Sequence, residues 1–344
     1  MKAPYRLAIN GYGRIGRCVL RALFERSLVD KTLQNQFQIV AINELADCKT
    51  IAHLTRYDST HGRFPLPVDL SDDELIIGEH SIRILHQERI DDLPWAELGV
   101  DLVLECTGAF SDRATAELHI QQGAKRVLFS QPSEVSVDAT VVFGVNESSL
   151  EKHHTIASSA SCTTNCSVPA IKALDDAFGV ESGIITTLHS AMNDQPVIDA
   201  YHHTDLRKTR SAIAAMIPVD TGLAKGIERV LPNLRGCFAA QAMRVPTANV
   251  SAIDLTVSVK QVVTVEQVNQ ALRDAAESSF GGVMSYTDEL LTSCDFNHDS
   301  HSAIVDAGQT RVAGNQVKVL LWFDNEWGYA NRMLDVSRHW LSLI

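Results

Sequence analysis

The chain has 344 residues, 45% hydrophobic and 21% charged, a balance that predicts a globular protein of two domains. Its net charge of −12 leaves no basic excess for nucleic acid or an anionic membrane surface, and no apolar stretch is long enough to span a bilayer. The seven cysteines are odd in number, sparse and without Cys-x-x-Cys spacing, which argues against a disulfide framework or a zinc motif and for a reduced, cytoplasmic setting with no metal.

The first section alternates short β-branched runs with helical patterns. Residues 5–9 predict a strand, with no signal-peptide core before it, and 14–25 predict a helix. Residues 39–42, 100–104, 126–129 and 140–143 predict further strands, and 113–122 a helix. Such alternation is expected of a Rossmann-type α/β domain with a parallel sheet. Residues 75–77 and 81–85, across Gly78-Glu79-His80, predict an inserted hairpin. Beyond Cys162 the pattern changes to a helix over 163–178, a strand over 183–188 and a polar stretch from Met192 to about Ser211. Strands at 250–259 and 316–323 follow, with a helix over 265–278 between them. Long strands with few crossovers predict an α+β catalytic domain with a mainly antiparallel sheet. The last helical pattern, 329–343, is expected to return to the first domain. The expected domains are 1–161 together with the terminal helix 327–344, and 162–326.

Gly11-Tyr12-Gly13-Arg14-Ile15-Gly16 fits G-x-G-x-x-G, directly after a strand and at the opening of a helix. One reading is a structural turn. In this context the motif points to a dinucleotide, with the glycines admitting a pyrophosphate to a helix N-terminus. The second strand runs out at Asn43-Glu44, where a carboxylate can hydrogen-bond the adenosine ribose and repel a 2′-phosphate, or simply be a solvated charge.

Cys162, in Ser161-Cys162-Thr163-Thr164-Asn165-Cys166, precedes an apolar helix-forming run. A helix N-terminus favours thiolate over thiol. His189 ends an apolar strand and is the candidate base, and an imidazolium there is expected to lower the thiol pKa further. Cys166, one turn later, is expected to pack inward. A nucleophilic cysteine in a chain that binds a nicotinamide suggests aldehyde oxidation through a thioester. An idle nucleotide-binding module and a cysteine hydrolase are the competing classes, opposed by the intact Cys162 and His189 and by the glycine motif respectively.

Four segments, Asn10 to Arg17, Ser161 to Cys166, Met243 to Thr247 and Asp324 to Tyr329, resemble the glyceraldehyde-3-phosphate dehydrogenase family in order along the whole chain. Softer pointers resemble the branch that oxidises erythrose 4-phosphate: Ile42 to Asp47, Ser190 to Gln195, Asn297 to Ser302, and Trp327. The resemblance implies Cys162 as nucleophile and His189 as base. It implies NAD held by Asn10, Gly11, Gly13, Arg14, Ile15, Gly16, Glu44 and Asn325. Ser161, Thr163, Lys208, Thr221, Gly222 and Arg244 match positions around phosphate groups. It also implies a homotetramer, with the polar stretch reaching a neighbouring subunit. Met192 stands where a phosphate-touching threonine is common, Asp220 where a hydroxyl is common, and Lys208 replaces an arginine. Those departures weaken anion binding and imply a thioester cleaved by water, giving 4-phosphoerythronate on the way to pyridoxal phosphate. The alternative within the family is phosphorylating oxidation of glyceraldehyde 3-phosphate.

Overall fold

The computed structural model describes residues 3–202 and 205–344, so two residues of the predicted polar stretch, 203 and 204, lie outside the described residues. Two compact units emerge. One comprises 3–141, Asn146–Ala160 and Ala330–Ile344, and the other comprises Val142–Val145 and Ser161–Tyr329.

In the first unit β1 (Tyr5–Asn10) leads through the glycine motif to α1 (Arg14–Val29), α2 (Lys31–Gln36) and β2 (Phe37–Asn43). After α3 (Cys48–Arg56), β3 (Tyr57–Asp58) and β4 (Gly62–Arg63) pair as a separate ribbon. Then come β5 (Val68–Ser71), β6 (Glu74–Ile77), β7 (His80–Leu85), β8 (Leu102–Glu105), α4 (Arg113–Gln121), β9 (Val127–Phe129), β10 (Ala139–Thr140) and β11 (Ile156–Ser158). The sheet order among the described residues is β10-β11-β9-β8-β1-β2-β7-β6-β5. β1 is central and parallel to both neighbours, with Leu7 opposite Ile39 on β2 and Leu102 on β8. Its residues from Leu7 onward are buried, as are all of β8, because a parallel sheet is covered on both faces.

Several differences from the sequence pattern have local causes. Of the run 140–143 only Thr140 is in a strand, the two-residue β10. The segment before β2 contains α2, capped where the Asp30 carboxylate accepts from Thr32 N. The predicted hairpin is present but joins the main sheet, since β7 runs parallel to β2 and β5 adds a third strand.

In the second unit α5 (Cys162–Phe178) precedes β12 (Val180–His189), β13 (Ile217–Val219), α6 (Leu223–Val230), β14 (Phe238–Arg244) and β15 (Ser251–Val259). Then follow α7 (Val265–Glu277), β16 (Met284–Thr287), β17 (Ala303–Ala313), β18 (Gln316–Phe323) and α8 (Trp327–Ser342), whose residues from Ala330 on group with the first unit. The sheet order is β13-β14-β12-β15-β18-β17-β16, with four antiparallel pairings and two parallel ones, β12/β14 and β16/β17. The sheet is therefore mainly antiparallel, as predicted. β15 alternates between buried and partly exposed residues from Leu255 onward, the period-two pattern of a half-covered strand. α5 packs on α6, α7 and β15, and its residues Thr164–Ile171 are buried.

Candidate active site

The first unit presents a cleft of about 370 Å³ at the carboxyl ends of β1, β2, β7 and β8, the topological switch point where such sheets bind ligands. Asn10, Gly11, Gly13, Asn43, Glu44, Cys106 and Thr107 contribute to its lining. Gly11 has φ +87, and a Cβ there would meet Thr107 N at 2.5 Å. A Cβ at Gly16 would strike the Gly11 carbonyl oxygen, whereas one at Gly13 would meet nothing within 4 Å. Gly11 and Gly16 thus serve the turn and the close strand–helix packing, while Gly13 leaves room for a ligand at the start of α1. No side chain caps α1 and its first turn has no acidic residue, so its positive end suits a pyrophosphate. These features fit a dinucleotide.

The predicted cofactor residues divide by what they touch. The Asn10 side chain is buried, donating to Glu105 Oε2 at 2.6 Å and accepting from Asn43 at 2.8 Å. Its amide therefore fixes the floor of the cleft. Arg14 turns its guanidinium to Asp58, an ion pair beside the motif. The Glu44 carboxylate accepts from Tyr12 N and Leu45 N, both at 2.9 Å, which ties the end of β2 to the glycine turn.

In the second unit Cys162 opens α5. Ser161 caps the helix, its Oγ accepting from Thr164 N at 3.0 Å and lying 2.9 Å from Thr163 Oγ1. His189 and Arg244 end the parallel strands β12 and β14 and are register partners. His189 Nδ1 lies 2.9 Å from the Ser190 carbonyl oxygen, so Nδ1 carries the proton and Nε2 keeps its lone pair. Nε2 stands 3.7 Å from Cys162 Sγ. Burial pushes the thiol up to about 11, against the pull of Arg244 and of the N–H groups of Thr163 and Cys162. Burial and the Arg244 cation push the imidazole down to about 4, against the Ser190 carbonyl. Both shifts run against the expected thiolate facing an imidazolium, because desolvation disfavours each charged form. A neutral imidazole facing a thiol is competent to accept its proton as sulfur attacks a carbonyl. Cys166, one turn on, is fully buried.

The anion-binding candidates are unequal. Arg244 has buried Nε and Nη1 atoms with no hydrogen-bond partner. Buried, unsatisfied donors on a half-buried cation call for an anion. Lys208 Nζ, by contrast, is 2.7 Å from Asp194 Oδ2. The Thr221 hydroxyl accepts from Leu223 N at 3.2 Å, and Gly222 is the exposed N-cap of α6. Asn325 is buried, its Oδ1 accepting from Ser190 and Ser251, each at 2.9 Å, which leaves Nδ2 as the donor to a ligand.

The sequence reading missed Ser190, which fixes both the His189 tautomer and the Asn325 amide, though its place directly after His189 was a usable signal. It missed Asp194, whose pairing with Lys208 spans a loop and leaves no pattern. It also missed Glu105 and Thr107, where the strand-end Glu-Cys-Thr-Gly was readable as a second turn at the cleft.

Two family models match the chain. Residues 5–113 match the glyceraldehyde 3-phosphate dehydrogenase NAD binding domain, and residues 161–325 match the glyceraldehyde 3-phosphate dehydrogenase C-terminal domain. The first match covers the glycine motif and Glu44, and the second covers Cys162, His189, Arg244 and Asn325. Together they span most of the sequence, and the chain belongs to the glyceraldehyde 3-phosphate dehydrogenase family, as an NAD-dependent oxidoreductase acting on an aldehyde.

Proposed function

We propose that the chain oxidises D-erythrose 4-phosphate to 4-phosphoerythronate, a step toward pyridoxal phosphate, with water cleaving the thioester. Cys162 Sγ adds to the aldehyde carbon while His189 Nε2 takes the thiol proton and returns it to the oxygen, giving a hemithioacetal. His189 then removes that hydroxyl proton as the carbonyl re-forms and hydride departs. NAD, when bound, supplies the hydride acceptor. His189 passes that proton to solvent, then takes a proton from water as the water attacks the thioester, and returns it to the departing sulfur, releasing the acid and restoring the thiol. Arg244 holds the substrate phosphate.

The observation that carries this reading is the pairing of Lys208 with Asp194 at 2.7 Å. It spends the cation that a second, inorganic phosphate would need. Met192 contributes no hydroxyl donor, and the exposed Asp220 adds negative charge. A hydrogen bond to a charged group is worth about 1.5–3 kcal/mol, so losing one lowers phosphate affinity by roughly ten-fold or more. Arg244 keeps its two unpartnered donors for the sugar phosphate. The choice of the four-carbon aldehyde leans on the resemblance of the Asn43-Glu44 and Met192-Asn193-Asp194 segments. We further infer a cytoplasmic homotetramer. Val197, Ile198, Tyr201, Leu206, Ile213 and Met216 are all exposed along one loop, an apolar stretch suited to a neighbouring subunit.

Steady-state NADH formation with each aldehyde phosphate, with and without inorganic phosphate, tests the reading. Faster turnover of erythrose 4-phosphate without phosphate is expected. Strict phosphate dependence with faster oxidation of glyceraldehyde 3-phosphate overturns it.

A further inference from the structure

Cys48, Asp73 and His86 come from three separate segments of the first unit and meet at its surface. Cys48 is the first residue of α3, Asp73 lies in the turn between β5 and β6, and His86 directly follows β7. Cys48 Sγ lies 3.3 Å from His86 Nε2 and 3.6 Å from Asp73 Oδ1. Taking one donor atom from each residue, all three lie within 4.8 Å of one another. From these positions we propose that the three side chains form a binding site for a zinc-like divalent cation, with water completing the shell.

Three features favour this over a chance cluster. The first is spacing. On a tetrahedral zinc, with bonds of about 2.3 Å to sulfur and about 2.0–2.2 Å to nitrogen or oxygen, neighbouring donors stand roughly 3.5 Å apart. The two sulfur distances bracket that value, so an ion fits with little rearrangement. The second is the orientation of the imidazole. His86 Nδ1 lies 2.8 Å from the Glu44 carbonyl oxygen, so Nδ1 donates there and Nε2 is a bare lone pair aimed at the cluster. A histidine metal ligand is held in the same way by a backbone carbonyl on its other nitrogen. The third is rigidity. Ile84 N donates to the Asp73 carbonyl oxygen at 2.7 Å and Glu44 N to the Leu85 carbonyl oxygen at 2.9 Å. The backbone on either side of the donors is therefore fixed before any ion arrives.

The donor set selects the metal. One thiolate, one imidazole and one carboxylate suit zinc or cobalt, while magnesium and calcium prefer oxygen alone. On binding, the Cys48 thiol gives its proton to solvent and sulfur donates its electron pair to the metal, with no change of oxidation state. An ion there would tie the start of α3 to the β5–β6 turn and the exit of β7. The Glu44 carbonyl behind His86 belongs to a residue that lines the cofactor cleft, which puts the ion at the rim of that cleft. This inference is independent of the substrate assignment.

Cobalt(II) titration of the full-length chain tests it, because a thiolate bound to cobalt gives a charge-transfer band in the near ultraviolet. The titration is run on the Cys162→Ala variant, so that Cys162 cannot supply the band. One equivalent is expected to bind, with zinc displacing it. Cys48→Ser should abolish the band, and His86→Ala and Asp73→Asn should each weaken binding ten-fold or more. Zinc should also raise the melting temperature of the Cys162→Ala chain but not of its Cys48→Ser derivative. Persistence of the band in Cys48→Ser, absence of binding at 100 µM cobalt, or equal affinity in all three site variants overturns the site.

Discussion

Cys162 and His189 face one another across 3.7 Å, the thiol pushed up and the imidazole pushed down by desolvation, and this sets what each does alone. With the thiol near 11, the thiolate fraction should grow about ten-fold per pH unit between pH 7 and 10. Alkylation of Cys162 by iodoacetamide should climb with that slope, and a plateau already at pH 7 would mean a standing ion pair. His189, near 4, is neutral throughout that range and imposes no charge on the thiol. His189→Asn should therefore slow oxidation by about 10²–10⁴-fold, the usual worth of a general base, while leaving the alkylation slope in place. Cys162→Ala should abolish oxidation and still bind NAD by calorimetry, since its glycine motif is untouched. Wild-type turnover in that variant would end the assignment. At this scale the residue types were legible in the sequence and their protonation was not. A cysteine before a helix reads as activated, but the desolvation that opposes ionisation belongs to the folded chain and not to that local pattern.

At the scale of elements, the β1–α1 junction separates two roles for glycine. Gly16→Ala should drive a methyl group into the Gly11 carbonyl, costing roughly 1–3 kcal/mol and lowering the melting temperature. Gly13→Ala meets open space in the protein, so it should leave the melting temperature unchanged and raise the NAD dissociation constant. Equal effects of the two on stability would remove the distinction. The strands β12 and β18 were readable from their alternation, and the helices α1 and α5 from long apolar runs that follow the glycine motif and the Ser161-Cys162 segment. β14 and β17 were not, for they mix exposed and buried residues irregularly and are held by neighbours distant in sequence. α3 was hidden for a different reason: it is a nine-residue helix whose start is marked only by the cap of Asp47 on Thr50 N.

For the whole molecule, Val197, Ile198, Tyr201, Leu206, Ile213 and Met216 make one run of exposed apolar side chains among the described residues. Light scattering at micromolar concentration should report four times the chain mass. Replacing Ile198, Leu206 and Met216 by serine should shift that mass downward without unfolding either sheet. A wild-type monomer would exclude the tetramer.

The amino-acid sequence by itself determined the glycine motif between strand and helix, the cysteine at the head of α5, the histidine at the end of β12 and the change from parallel to mainly antiparallel sheet. Each is a local pattern, written in spacing and periodicity over a few residues. The tertiary structure decided the directions in which Cys162 and His189 are shifted, the capture of Lys208 by Asp194, the role of Asn10 as floor of the cleft, and the meeting of Cys48 with Asp73 and His86. All of these depend on residues brought together from separate segments, and on burial, which belongs to the packed chain and not to any stretch of it.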